Sequence, residues 1–233
     1  ENKPNPMLRH AYMRLQWPEQ DVEIIAGQTW DVISPLNPST LNYPVQWWAG
    51  NIGYRRPQVR VTKGVPLGEG VKATFAAAAT RNIGHASGFD PGDSGEDSAL
   101  PGLQGRAALS FPGIGGRTMT VGVSSHWAHE EYDVDADDRN VDLDSWSANL
   151  DLQVPVCDWL AIKGELFGGQ NLDAYLGSIG NGVDVFGNSI TEVQSVGGWL
   201  AASLGPWDRW RFNVGFSGEA VNDGDVETVG TRT

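Results

Sequence analysis

Arg14, Arg56, Arg60, Lys72, Arg106, Lys163 and Arg211 all stand in stretches where polar and apolar residues alternate, and each falls on the polar parity. Successive side chains of an extended chain point to opposite faces, so the seven cations share the wet face of whatever sheet these stretches build. Asp151 and Glu165 are the main acids on that parity. A row of positive charges along a narrow aqueous passage lowers the cost of entry for anions. The competing role for each cation is to pair with an acid of a loop folded over the face and brace the wall. Covalent chemistry has less to stand on. Ser124 and His126 meet the same-face requirement of a hydrolase only weakly, and no GxSxG, HExxH or phosphate-loop pattern occurs. His126 and His129 form a lone pair at a strand end. Asp133, Asp135, Asp137 and Asp144 have calcium-loop spacing without its sixth-position glycine or closing glutamate. Cys157 sits in a tight turn. We therefore expect no enzyme, no metal and no cofactor.

The stretches that carry these residues read as strands. In "SWSANLDLQV" (145–154), Trp146, Ala148, Leu150, Leu152 and Val154 oppose Ser145, Ser147, Asn149, Asp151 and Gln153. The same period-two pattern recurs at 11–17, 22–30, 52–62, 71–80, 103–111, 118–127, 160–167, 195–204 and 210–219, and no window has a helical period. The connections alternate in length. Those at 18–21, 64–69, 112–117, 155–158 and 205–209 are tight and rich in Pro, Gly and Asp. Those at 31–50, 82–101, 128–144 and 170–194 are long. Short turns on one side and long loops on the other mark an all-β, transmembrane, antiparallel up-and-down barrel, with its apolar parity toward lipid and its polar parity toward a lumen.

Composition agrees with that class. Sixteen basic residues against 29 acidic ones argue against a nucleic-acid partner, and a single cysteine excludes a disulfide scaffold. No apolar run approaches the length of a membrane helix, while alternation keeps a barrel's mean hydropathy low. Trp17, Trp159 and Trp210 flank short turns, and Trp30, Trp127 and Trp146 flank long loops. This is the placement of two interfacial belts, with lipid and lipopolysaccharide as surroundings. The loop at 31–50 is rigid and poorly charged, with Pro35, Asn37, Pro38, Pro44, Trp47 and Trp48. Such a loop packs, either into the lumen as a constriction or onto a neighbouring subunit.

The stretches "AGQTWDVISPLNPSTLNY", "WWAGNIGYRRPQVRVTK" and "GELFGGQNLDAYLGSIGNGV" resemble those of DcaP-type and related Gram-negative outer-membrane porins, most densely over 26–63 and 164–183. The resemblance implies a homotrimer of barrels with about sixteen strands each, an inward loop, and an arginine-lined channel for small anions such as dicarboxylates. It also implies a place for Arg55, Arg56 and Arg60 in the basic constriction. The chain departs from the pattern in having about ten strands and no aromatic-ended final strand. We therefore expect one β-barrel domain over residues 1–233, incomplete at both ends: an outer-membrane porin for passive diffusion of small, preferentially anionic solutes. Two rival readings are a soluble, tryptophan-rich β-protein stacking carbohydrate on Trp47, Trp48 or Trp199, and an outer-membrane hydrolase built on Ser124 and His126.

Overall fold

The computed structural model describes residues 8–40, 45–83, 98–134, 139–186 and 189–225. Twelve strands follow one another as β1 (Ala11–Trp17), β2 (Val22–Trp30), β3 (Arg55–Gly68), β4 (Val71–Thr80), β5 (Gly102–Pro112), β6 (Thr118–Val134), β7 (Arg139–Cys157), β8 (Leu160–Gln170), β9 (Val183–Phe186), β10 (Ser189–Glu192), β11 (Gln194–Trp207) and β12 (Trp210–Val221). Ten of them form one antiparallel sheet in chain order, with β8 pairing directly to β11 because β9 and β10 make a separate hairpin. Strands β1 and β12 are the ends of that sheet.

The ten expected strands are all present, and the long connections hold more structure than the sequence suggested. Residues 128–134 and 139–144, expected in a loop, are paired strand. Strands β6 and β7 keep pairing up to Val134 and Arg139, with His129 opposite Asp144 and Tyr132 opposite Val141. This upper hairpin holds because Tyr132 and Leu143 bury their rings and methyls against Val183 of β9, so the alternation persists above the level of Trp127 and Trp146. The stretch 170–194 likewise contains β9, β10 and two short 3-10 turns, at Asp173–Tyr175 and Ser178–Gly180.

The side assignment is decided in β7. Ser145, Ser147, Asn149 and Asp151 are 0%, 0%, 6% and 2% exposed, whereas Trp146, Leu150 and Leu152 are 40%, 42% and 37% exposed. The register carries this around the sheet. Phe75, Leu103, Val123, Leu166, Val196, Leu200, Phe212, Val214 and Phe216 all lie open on the apolar face. A soluble sheet hides that face and wets the other. Here the apolar face is the exterior and the polar face is covered, as in the wall of a membrane barrel. A charge on the exterior should therefore meet hydrocarbon. Leu150→Arg, near the middle of β7, is expected to cost about 2–4 kcal/mol in equilibrium unfolding from lipid bilayers, and unchanged stability would show that Leu150 faces no hydrocarbon.

Candidate functional site

The polar face is crossed by the chain between β2 and β3. Its two ends are zipped at the rim, where Asp31 N–H donates to Tyr54 C=O (2.8 Å) and Tyr54 N–H donates to Asp31 Oδ2 (2.9 Å). From there the loop moves over β5, where Val32 N–H donates to Gln104 Oε1 (2.7 Å). It next passes β8, where Leu36 N–H donates to Glu165 Oε1 (2.7 Å). At Gly50 it lies against β11 and β12: φ is +111° and a Cβ there would sit 2.4 Å from the Gly198 carbonyl oxygen, so only glycine fits. Along this path Pro38 and Trp47 are buried, Asn37 is half-buried, and Pro35 and Trp48 are exposed.

A second loop, between β8 and β9, docks on the first. Trp48 N–H donates to Leu176 C=O and Gly53 N–H to Tyr175 C=O, both at 2.7 Å. Ile33 and Ile52 pack with Leu172, Ala174, Tyr175 and the wall residue Phe167 in one apolar cluster. Arg56 holds the junction. Its guanidinium pairs with Asp31 (Nε to Oδ1, 2.8 Å), lies 3.8 Å over the Tyr175 ring, and donates to the Ala174 carbonyl (3.2 Å). Asp31 Oδ1 also accepts from Gln104 Nε2 (2.9 Å). Burial pushes the Tyr175 phenol above its ordinary range, so the ring stays neutral beside the ion pair.

The other six cations also project from the polar face, and three of them have acidic partners: Arg14 with Glu23 (3.3 Å), Lys72 with Asp21 (2.6 Å), and Arg106, in a two-pronged contact, with Asp151 (2.6 and 2.9 Å). Arg60, Lys163 and Arg211 have no ion pair among the described residues. Arg60 is half-buried and reaches the Trp30 carbonyl at 3.5 Å. Lys163 is half-buried between Gln153 and Ala201, and Arg211 is exposed on β12. Arg55 lies on the opposite parity, with its guanidinium carbon 4.4 Å from the Trp30 ring centre, 5.1 Å from that of Tyr54 and 5.9 Å from that of Trp47.

The remaining candidates are placed as follows. Trp17, Trp159, Trp207 and Trp210 stand exposed at the short-turn end. Trp127 and Trp146 are cross-strand partners at the other end, where Trp30 turns toward Arg55. His126 contacts Ser147 Oγ (2.7 Å) and Ser145 Oγ (3.0 Å), not Ser124, and is sealed beneath Tyr175 with ring centres 3.9 Å apart. Trp199 is 3% exposed and gives its indole N–H to Glu165 Oε2 (2.9 Å), so it offers no open stacking face. The side chains of Asp133, Asp135 and Asp137 lie outside the described residues, as does Pro44. Sequence reading missed the second loop, although "NLDAYLGSIG" combines few charges with Leu172, Tyr175 and Leu176, the same sign of packing that singled out residues 31–50.

Above the Trp127–Trp146 level, Glu130 of the upper hairpin faces the root of the second loop. It accepts from Asn171 Nδ2 (2.7 Å) and Tyr132 OH (3.1 Å). Burial, reinforced by the negative charge of Asp173, pushes its carboxyl up to about 7 against the hydrogen bonds from Asn171 and Tyr132 and the charge of Arg56.

Taken together, a polar face inside, an apolar face outside and a loop across the polar face are the arrangement of a transmembrane β-barrel wall. The fold matches that of the outer membrane channel DcaP of Acinetobacter baumannii with a TM-score of 0.70 at 20% identity, covering 96% of this chain and 59% of that one. The chain thus spans less than two thirds of the length of that channel. No family model matches the chain, and no curated protein matches it.

Two outcomes follow from the junction. Arg56→Ala strands Asp31 as a buried, unpaired carboxylate and is expected to cost about 3–5 kcal/mol in bilayer unfolding; a neutral result would show that the pair is not desolvated. At Glu130 the docked state binds its proton more tightly than the undocked one. The carboxyl's contribution to docking is therefore full below its ordinary 4.5 and is lost as pH rises through about 7. Hydrogen-exchange protection of residues 171–182, corrected for intrinsic rates and measured in metal-free buffer, should fall over that window, and Glu130→Gln should flatten the profile.

Proposed function

We propose that the chain forms most of the wall of an outer-membrane porin through which small, preferentially anionic solutes such as dicarboxylates diffuse passively. The loop at 31–50 and its continuation to Tyr54 form the constriction. The observation that carries this reading is the charge pattern of the covered face. Seven cations project from it, four are held by acids, and Arg60, Lys163 and Arg211 keep their charge for passing solutes. An unpaired cation beside a narrow, partly desolvated passage stabilises an entering anion far more than one already neutralised by a carboxylate. Arg14, Lys72 and Arg106 shape the lumen and contribute dipoles rather than net charge, and Arg56 positions the constriction. The exterior contacts outer-membrane lipid and lipopolysaccharide. The resemblance noted in the sequence extends the proposal to a homotrimer. No covalent step and no cofactor enter this reading.

The test is reversal potential under a salt gradient in planar bilayers. The channel should prefer chloride over potassium. Replacing Arg60 and Lys163 by serine should lower that ratio several-fold, whereas Lys72→Ser, which removes a paired charge, should change it less. A cation preference that survives unaltered in the double variant would remove this account of the lumen.

A further inference from the structure

The first loop is stiffest where it passes over β8. Pro35 and Pro38 bracket Leu36 and Asn37, and a proline fixes φ and carries no N–H. Ser34, just before them, has a φ of +43°, in the left-handed region that a non-glycine residue enters only under constraint. The stretch is therefore a short rigid strut with a strained entry, and few main-chain donors remain to fix it. Among the described residues, Leu36 N–H is the one main-chain group of 33–38 that bonds to the wall. It donates to Glu165 Oε1 (2.7 Å). Glu165 Oε2 accepts the Trp199 indole N–H (2.9 Å), which sets the orientation of the carboxyl. Glu165 is 3% exposed. Glu23, Asp31 and Asp151 meet cations, whereas Glu165, the cross-strand neighbour of Asp151, meets a loop amide and an indole and has no ion pair among the described residues.

We propose that Glu165 is the positioning residue that keeps this strut back against β8 and thereby holds the passage open. The inference rests on the reading of the protein as a channel with residues 31–50 as its constriction. The two ends of the loop are fixed independently of Glu165. Asp31 with Tyr54 and Val32 with Gln104 hold the entry, and the second loop holds Trp48 and Gly53. A segment held at its ends and rigid in between can pivot about them, and the direction open to it is away from the wall, into the lumen. The bond at Leu36 opposes that movement. Out of water such a bond is electrostatically stronger than at the surface, and breaking it leaves a buried acceptor short of a partner. The residue type fits the task, because both neighbours are N–H donors. A carboxylate offers an oxygen to each, whereas a glutamine offers one oxygen and turns a donor toward the other.

Single-channel recordings of the full chain in planar bilayers test it, with hydrogen exchange at Leu36 reading the bond itself. Wild-type pores should be quiet and the Leu36 amide protected. Glu165→Leu, which keeps the bulk but accepts nothing, should raise the frequency of brief closures about tenfold or more and open Leu36 to exchange. Leu36→Pro removes the same bond from the loop side with the wall intact and should be as noisy, and the double variant should be no noisier than either alone. Glu165→Gln, with one acceptor for two donors, should fall between them and the wild type, and adding Trp199→Phe, which removes the second donor, should quieten it again. Heat-modifiable gel migration scores folding of each variant separately. Glu165→Leu and Leu36→Pro pores as quiet as the wild type, or a Leu36 amide that exchanges freely in the wild type, overturn the tether and leave the channel standing. A folded wild type that conducts nothing removes the channel reading, and the role of Glu165 with it.

Discussion

A charge taken out of water has to be met where it sits, and the interior of this protein is organised around one such meeting. Arg56 projects from β3 into the covered face and is entirely enclosed. Asp31, at the start of the first loop, neutralises it, and Gln104 on β5 holds Asp31 in turn. Tyr175 of the second loop supplies an aromatic face over the guanidinium, where a cation gains from the ring quadrupole. One side chain therefore joins two strands of the wall to both loops that cross it. Remove its charge and three separate segments lose a common partner, which is why this pair, rather than the apolar cluster beside it, sets where the loops lie.

The arrangement follows from putting the greasy face outside. A soluble sheet uses burial of its apolar side to hold itself together and can leave its polar side to solvent. Here the apolar side is turned outward, so whatever holds the loops against the inner wall must come from hydrogen bonds and ion pairs, with the small cluster around Ile33, Ile52 and Tyr175 as the apolar exception. Polar groups in such a place are stabilising only when nearly all are satisfied. The wall meets that demand with side chains bonded to loop backbone: Gln104 to Val32, Glu165 to Leu36, and Gln58 to the carbonyls of Thr29 and Trp30. The alternation of the strands thus has two uses at once, a hydrocarbon-compatible exterior and a lattice of acceptors and donors for the loops.

Strand positions and side assignment were readable in the sequence because a period of two is a local signal. Ser145 to Gln153 announce their face without reference to any partner. That all seven cations share the polar face was legible for the same reason. Their partners were not. Asp31 is 25 positions from Arg56 in the chain, and Asp151 reaches Arg106 only through the register of β6 between them. Arg55 shows the complementary gap. The resemblance implied a place for it in the constriction beside Arg56, whereas its parity is opposite to that of Arg56 and Trp47, folded back onto Trp30, leaves its guanidinium among aromatic rings. The upper hairpin was missed because its alternation is carried by acids. A run such as "HEEYDVD" reads as solvated loop until Val183, from a hairpin about fifty residues later, covers Tyr132 and Leu143.

The two loops are latched at different levels, and the difference matters for how firmly each is docked. Arg56 grips both loops from below through a permanent charge, since a guanidinium cannot lose its proton at any relevant pH. Glu130 grips only the second loop, from above, through a carboxyl whose charge state depends on surroundings. The lower latch fixes position, and the upper one can change the firmness of docking without displacing Arg56 or Asp31. Because Tyr175 belongs to the second loop but stacks on the lower latch, any loosening above is transmitted to the aromatic ring over Arg56 and, through the Gly53–Tyr175 and Trp48–Leu176 hydrogen bonds, to the first loop. Covalent continuity over the five residues from Asn171 to Tyr175 is enough for that transmission, so no separate pathway through the wall has to be invoked.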